Sequence, residues 1–251
     1  MVLSLELQQK SDLERFQYLK WGLRTWDYWN WSNCDPRFGD DWPGRIPGQL
    51  IAHLIFYFSE QGHLIIDPMG GGGVTPDTCL VFNRKCWTFD LMDRFQERPE
   101  IEQHYWDKDN LKWPVKGKFK PDLIIFDPPY FDKKRDDYEP KSFSSLSKDD
   151  YLLFLKDFCT LLNQHSKKGT RFAFINSDWR DFHSTSAIHE PIKNAILIDD
   201  YLDIIKQSGW NRTHIIQSPL SSERFNPGVV SAMQKNKILG VISRYIIVSV
   251  N

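Results

Sequence analysis

An apolar run that stops at a carboxylate and two prolines constrains this chain most: Leu123-Ile124-Ile125-Phe126 leads directly into Asp127-Pro128-Pro129-Tyr130-Phe131. Four consecutive apolar residues suit a strand in a parallel sheet covered on both faces. Two prolines end strand pairing and prevent an immediate helix. Asp127 is therefore expected at the strand's carboxyl edge, where open α/β sheets bind ligands. A plain Asp-Pro turn capping a strand is the competing reading, and the residues upstream weigh against it.

Two earlier runs end in the same way. His63-Leu64-Ile65-Ile66 leads to Asp67, and Lys85-Cys86-Trp87-Thr88-Phe89 leads to Asp90. Between them lie Pro68-Met69, the four glycines Gly70, Gly71, Gly72 and Gly73, and a short helix expected over residues 78–82. Consecutive glycines let the backbone turn sharply and let a ligand approach within contact distance. Strand, glycine loop, helix, strand and acid is the pattern of a nucleotide-type site, with Asp90 about 20 residues beyond the glycines, where a ribose presents its hydroxyls. The loop lacks the lysine and hydroxyl of a phosphate-binding P-loop, and Asp67-Pro68 spoils the dinucleotide fingerprint. A third segment, Gln103-His104-Tyr105-Trp106-Asp107, is expected to carry another acid at a strand end.

Apolar spacing predicts helices over 47–58, 149–164 and 199–208 and strands over 171–176, 211–217 and 244–250. There is neither an internal repeat nor a linker between two cores. One α/β domain, residues 44–251, is expected behind an aromatic-rich arm, residues 1–43. In the arm, Trp21, Trp26, Tyr28, Trp29 and Trp31 stand among Lys20 and Arg24. Such rings either stack on exposed bases or cover the core, and covering the core is the commoner outcome. After Phe131, Lys133, Lys134, Arg135 and Lys141 alternate with Asp132, Asp136, Asp137 and Glu139, as in a solvated loop or a lid.

Net charge is −1, so any binding of nucleic acid falls to a local patch. Cys34, Cys79, Cys86 and Cys159 form neither a zinc pattern nor a disulfide framework. No metal site is expected, and a reducing compartment is. No apolar run approaches the ~20 residues of a membrane span, so a cytoplasmic protein without a membrane partner is expected.

Asp67-Pro68-Met69-Gly70-Gly71-Gly72-Gly73-Val74-Thr75 followed by Asp127-Pro128-Pro129-Tyr130 resembles, in content and order, the two signature motifs of the S-adenosylmethionine-dependent amino-methyltransferases of nucleic-acid bases. Met69 stands where that family has phenylalanine, and Val74 where it has threonine; neither removes a backbone contact. The resemblance implies an α/β, Rossmann-like class I methyltransferase fold, a mostly parallel seven-stranded sheet with an antiparallel C-terminal strand. It implies S-adenosylmethionine as cofactor. Asp67, Pro68 and Gly70 to Gly73 would meet its amino-acid portion, Asp90 its ribose and Asp107 its adenine amino group, while Pro47, with Arg45 and Ile46, resembles the remaining cofactor motif.

The catalytic set implied is Asp127, Pro128, Pro129 and Tyr130. The Asp127 carboxylate and the Pro128 carbonyl accept the two N–H bonds of the target amino group, and Tyr130, helped by Phe131, stacks on the target base. The prolines carry no competing N–H. By resemblance, an opening aspartate is typical of N6-adenine enzymes, so methylation of adenine in DNA, of restriction-modification type, is expected. RNA bases (adenine or guanine N2), N4-cytosine in DNA and a non-catalytic nucleic-acid-binding subunit stand as alternatives. Attack on cytosine C5 needs a cysteine after a proline, and none of the four is so placed. No target-recognition insert is evident between Asp127 and Arg171. Sequence readout is left to residues 178–199, with Arg180, His183 and His189, to residues 218–240, with Arg224, Lys235 and Lys237, or to a partner protein or homodimer.

Overall fold

A computed structural model describes residues 7, 9–31, 33–114, 119–131, 146–180, 195–219 and 227–251. The charged stretch after Phe131 up to residue 145, together with His183, His189 and Arg224, lies outside them. Five strands run parallel: β1 (Leu64–Asp67), β2 (Lys85–Asp90), β3 (Ile101–Gln103), β4 (Leu123–Phe126) and β5 (Arg171–Asn176). A separate antiparallel pair, β6 (Trp179–Arg180) with β7 (Ala195–Ile196), follows. Then β8 (Asn211–Pro219) and β9 (Ser243–Val250) complete the large sheet, with β9 inserted between β5 and β8 and antiparallel to both. The resulting order, β3-β2-β1-β4-β5-β9-β8, is the expected Rossmann-like class I methyltransferase sheet. Chain order reverses between β1 and β4, and ligands of open α/β sheets bind outside the carboxyl ends at such a switch point.

Both faces of the sheet are covered. Leu123 and Ile125 of β4, Ala173 and Ile175 of β5, and Ile246 and Val248 of β9 join one apolar cluster with Leu50, Ile51 and Leu54 of α2 (Gly48–Phe58). The alternate residues Ile124, Phe126, Phe172, Phe174 and Ile247 join a second, with Phe154, Leu155 and Phe158 of α4 (Lys148–Gln164). This alternation is the two-residue period of a strand, and it explains why these strands read as unbroken apolar runs. On the first face lie also α1 (Asp12–Leu19), started by a capping box of Ser11 and Glu14, and α3 (Val74–Val81). On the second lies α5 (Ile198–Gln207); α6 (Pro227–Lys235) precedes β9.

Three expectations are corrected. Pro47 caps α2 from outside instead of opening its first turn. α3 begins at Val74, before the expected start, because Pro76 sits in the first turn, where a missing N–H is no loss. β3 ends at Gln103, so Asp107 lies in the loop beyond the strand and not at its tip.

The described part of the arm covers the core. Phe16, Leu19, Trp29 and Phe38 belong to the same cluster as α2. The Trp29 N–H donates to the Gln217 carbonyl and the Gln217 N–H to the Asp27 carbonyl, which ties the arm to β8. Trp26 and Tyr28 remain exposed. His53 of α2 is buried and pins the arm: its Nε2 accepts the Arg24 N–H at 2.9 Å and its Nδ1 lies 2.6 Å from the Gln49 carbonyl. Burial pulls this imidazole down to about 4, so it stays neutral. Among the described residues, no helix is long and apolar enough to cross a membrane.

Candidate active site

Three expected residues, Asp90, Asp67 and Asp127, end or directly follow the adjacent strands β2, β1 and β4. Side chains two apart share a face. Asp67 therefore points as Ile65 does and Asp127 as Ile125 does, towards the cluster that contains α2 and α3. Asp90 follows Phe89, which faces the other way, and so joins them.

Desolvation dominates the proton affinities of two of these carboxyls. Burial raises Asp67 to about 7, opposed by hydrogen bonds from Thr75 and the Met69 N–H and reinforced by the charges of Asp127 and Asp90. Burial raises Asp127 to about 6, opposed by the charge of Arg244 and a hydrogen bond from Tyr130. Asp127 Oδ1 is shielded from solvent and has no hydrogen-bond partner.

The glycine loop is held on all sides. Asp90 Oδ2 accepts the Gly71 N–H at 2.8 Å, and the Gly70 N–H donates to the Phe89 carbonyl at 2.8 Å. Arg94 donates to the Gly71 carbonyl at 2.8 Å and to Asp40 at 2.6 Å. Arg98 donates to the Gly73 carbonyl at 3.0 Å and to Asp77 at 2.8 Å, and the Asp40 N–H donates to the Gly72 carbonyl at 2.8 Å. Glycine is required here. A Cβ on Gly70 would lie 2.1 Å from Thr88 Cγ2, and Gly73 has a φ of +85°. Arg94 and Arg98 were not predicted, although two arginines shortly after a strand-end acid are a usable signal.

The turn after β4 is braced from the opposite face of the sheet. The Tyr151 hydroxyl of α4 donates to the Pro129 carbonyl at 3.1 Å and accepts from the Asn176 amide of β5 at 3.2 Å. The Tyr201 hydroxyl of α5 donates to Asn176 Oδ1 at 3.2 Å and the Ser177 carbonyl at 2.9 Å. All three side chains are buried. Phe131 is corrected from a base-stacking residue to a core one: its ring packs edge-on against Trp179 at 4.8 Å and tilted against Tyr151 at 5.3 Å. Tyr130 is half-buried.

Asp107 and Pro47 are less tightly drawn in. The described contacts of the Asp107 carboxylate are local, from the Asp109 N–H at 3.0 Å. Its neighbour Trp106, missed in the sequence, reaches the base of the glycine loop, donating Nε1–H to the Pro68 carbonyl at 2.9 Å. The Pro47 carbonyl, just outside α2, accepts the Leu50 N–H of its first turn.

No protein-family model and no curated protein matches the chain. Solved structures do. A TehB-like SAM-dependent methyltransferase from Corynebacterium glutamicum is 14% identical with a TM-score of 0.47, over 82% of this chain and 89% of its own. TrmN from Thermus thermophilus is 13% identical with a TM-score of 0.47, over 82% of this chain and 49% of its own. The 1,6-didemethyltoxoflavin-N1-methyltransferase from Burkholderia thailandensis, with 1,6-didemethyltoxoflavin and S-adenosylhomocysteine bound, is 11% identical with a TM-score of 0.47, over 84% of this chain and 79% of its own. Likenesses at this level concern the fold alone.

Proposed function

We propose that this chain is an S-adenosylmethionine-dependent methyltransferase that acts on an exocyclic amino group of a nucleic-acid base, N6 of adenine in DNA first. One observation carries the proposal: a buried carboxylate oxygen, Asp127 Oδ1, lacks a partner at the tip of β4, on the same edge and face as Asp67, Asp90 and the glycine loop. A buried acceptor without a donor is costly to keep. An incoming N–H relieves it.

The residues present fit the cofactor. Asp67, whose carboxyl burial raises to about 7, is a receptor for a positively charged amino-acid end. Asp90 uses one lone pair of Oδ2 on Gly71 and one of Oδ1 on Met92, and retains capacity for ribose hydroxyls. Bound there, S-adenosylmethionine supplies an electrophilic sulfonium methyl.

An aromatic amino nitrogen is a weak nucleophile because its lone pair is delocalised into the ring. Asp127 accepts one N–H. The family resemblance assigns the second N–H to the Pro128 carbonyl, beside the Pro129 carbonyl that Tyr151 holds. Held by both, the nitrogen turns its lone pair towards the methyl donor, which is catalysis by orientation and fixed charge. Tyr130 is the ring left to stack on a base drawn out of its helix.

Incubation with tritiated cofactor and separate pools of duplex DNA, single-stranded DNA and RNA, followed by nucleoside analysis, tests this. Label in N6-methyladenine of DNA is expected. Label confined to RNA rejects the DNA assignment, label in N4-methylcytosine rejects the base, and no label in any pool rejects the function.

A further inference from the structure

We infer that Arg244 is a substrate-contacting residue which, with Asp127, forms a donor–acceptor pair that recognises an amino group flanked by a ring nitrogen bearing a free lone pair. The inference rests on the amino-methyl transfer proposed above and names which bases the site accepts.

Because β9 runs antiparallel to β5, its beginning arrives where β4 and β5 end: Tyr245 pairs with Asn176, the last residue of β5, and Arg244 precedes it. Arg244 shares a face with Ile246 and Val248, as Asp127 does with Ile125, so both side chains lie on the same face at the same edge. Two strand spacings, about 10 Å, separate their backbones, and arginine has the longest side chain available to cross that gap. Arg244 is 3% exposed. Its Nε is shielded and has no hydrogen-bond partner; neither has Asp127 Oδ1, so these two atoms do not satisfy each other. The charge of Arg244 nevertheless acts on Asp127 and favours its ionised form.

A buried guanidinium N–H without an acceptor is as costly as a buried carboxylate without a donor. One ligand edge satisfies both: an amino N–H for Asp127 beside a lone pair for Arg244. Adenine offers this edge at N6 with N1 or N7, and cytosine at N4 with N3. Guanine offers it at N2 only from the N3 side, since on the other side N1–H sets donor against donor, and N3 faces the minor groove.

The test measures kcat/KM of the full chain on oligonucleotides carrying adenine, 1-deazaadenine or 7-deazaadenine at the methylated position, or 3-deazacytosine where the label falls on cytosine. In the wild type, removing the ring nitrogen that Arg244 contacts is expected to lower kcat/KM roughly 10- to 100-fold, as for loss of a hydrogen bond to a charged group. Arg244→Met should lose a similar factor on the natural base and less than about threefold more on the sensitive deaza base, because the same contact is already gone. Arg244→Lys keeps the charge without the fork and replaces Arg244→Met should that variant not fold. Its loss on the natural base should likewise fail to multiply with the deaza loss. Deaza bases methylated as fast as natural ones by the wild type, or losses that multiply in the variants, overturn the role of Arg244 and leave the proposed function standing. Absence of methylation on every base overturns both.

Discussion

The two halves of the candidate site are built on opposite terms. Around the glycine loop, the Gly70 and Gly71 N–H groups and the Gly71, Gly72 and Gly73 carbonyls all have partners within the protein, and Arg94 and Arg98 are locked in turn by Asp40 and Asp77. Around Asp127 the backbone turn is braced, by Tyr151, but the side-chain atoms that face the edge, Asp127 Oδ1 and Arg244 Nε, are left unmatched. The loop backbone of the first half is fixed before any ligand arrives, with Asp67 and Asp90 beside it to receive one, whereas the second half leaves the acting atoms themselves unmatched for whatever enters. Such a division suits a site in which one molecule is always the same and the other is drawn out of a larger structure.

Four measurements bear on this contrast. Asp127→Ala should lower kcat/KM about 1000-fold, because the acceptor acts mainly in the transition state, while cofactor affinity by calorimetry changes less than about threefold. An equal loss of cofactor binding would merge the two halves. Gly70→Ala should do the reverse. The new methyl meets the β-branched Thr88, so the fold loses about 1–3 kcal/mol in thermal melts and cofactor affinity falls roughly 100-fold.

The third concerns pH. With Asp127 at about 6, kcat/KM at saturating cofactor should be level above that pH and fall about tenfold per unit below it, as the carboxylate takes a proton and ceases to accept. Arg244 favours the charged form, so Arg244→Met should move this limb upward. Last, Tyr151→Phe removes the brace on the Pro129 carbonyl and should lower kcat about five- to tenfold with cofactor affinity unchanged.

The sequence shows β1, β4 and β5 with their polar ends because a strand buried on both faces is a continuous apolar run, and the run stops where the sheet does; β2, buried only at Thr88 and Phe89, is legible from its aromatic content and its closing acid. β3 escapes that logic. Only Ile101 of its three residues is buried, and the richer aromatic content of Tyr105 and Trp106 shifts attention past its end. Arg94, Arg98 and Trp106 act from irregular loops, where no period marks them. Arg244 is hidden for a different reason. It opens an ordinary strand, and only the antiparallel entry of that strand carries it to the edge where Asp127 stands. The brace of Tyr151, Asn176 and Tyr201 is spread over three elements, each of which reads as core on its own.

The entry of β9 between β5 and β8 also has a kinetic side. β5 pairs with β4 on one flank, but its other flank waits for a strand that begins far along the chain, at Ser243. Until that strand docks, Phe172-Ala173-Phe174-Ile175 presents an apolar, unpaired edge of the kind that recruits neighbouring chains. Pairing across so long a separation is slow to nucleate. Low temperature and low concentration during expression and refolding should therefore raise the yield of native protein, and substitutions that weaken β9 should show first as aggregation and only afterwards as lost activity.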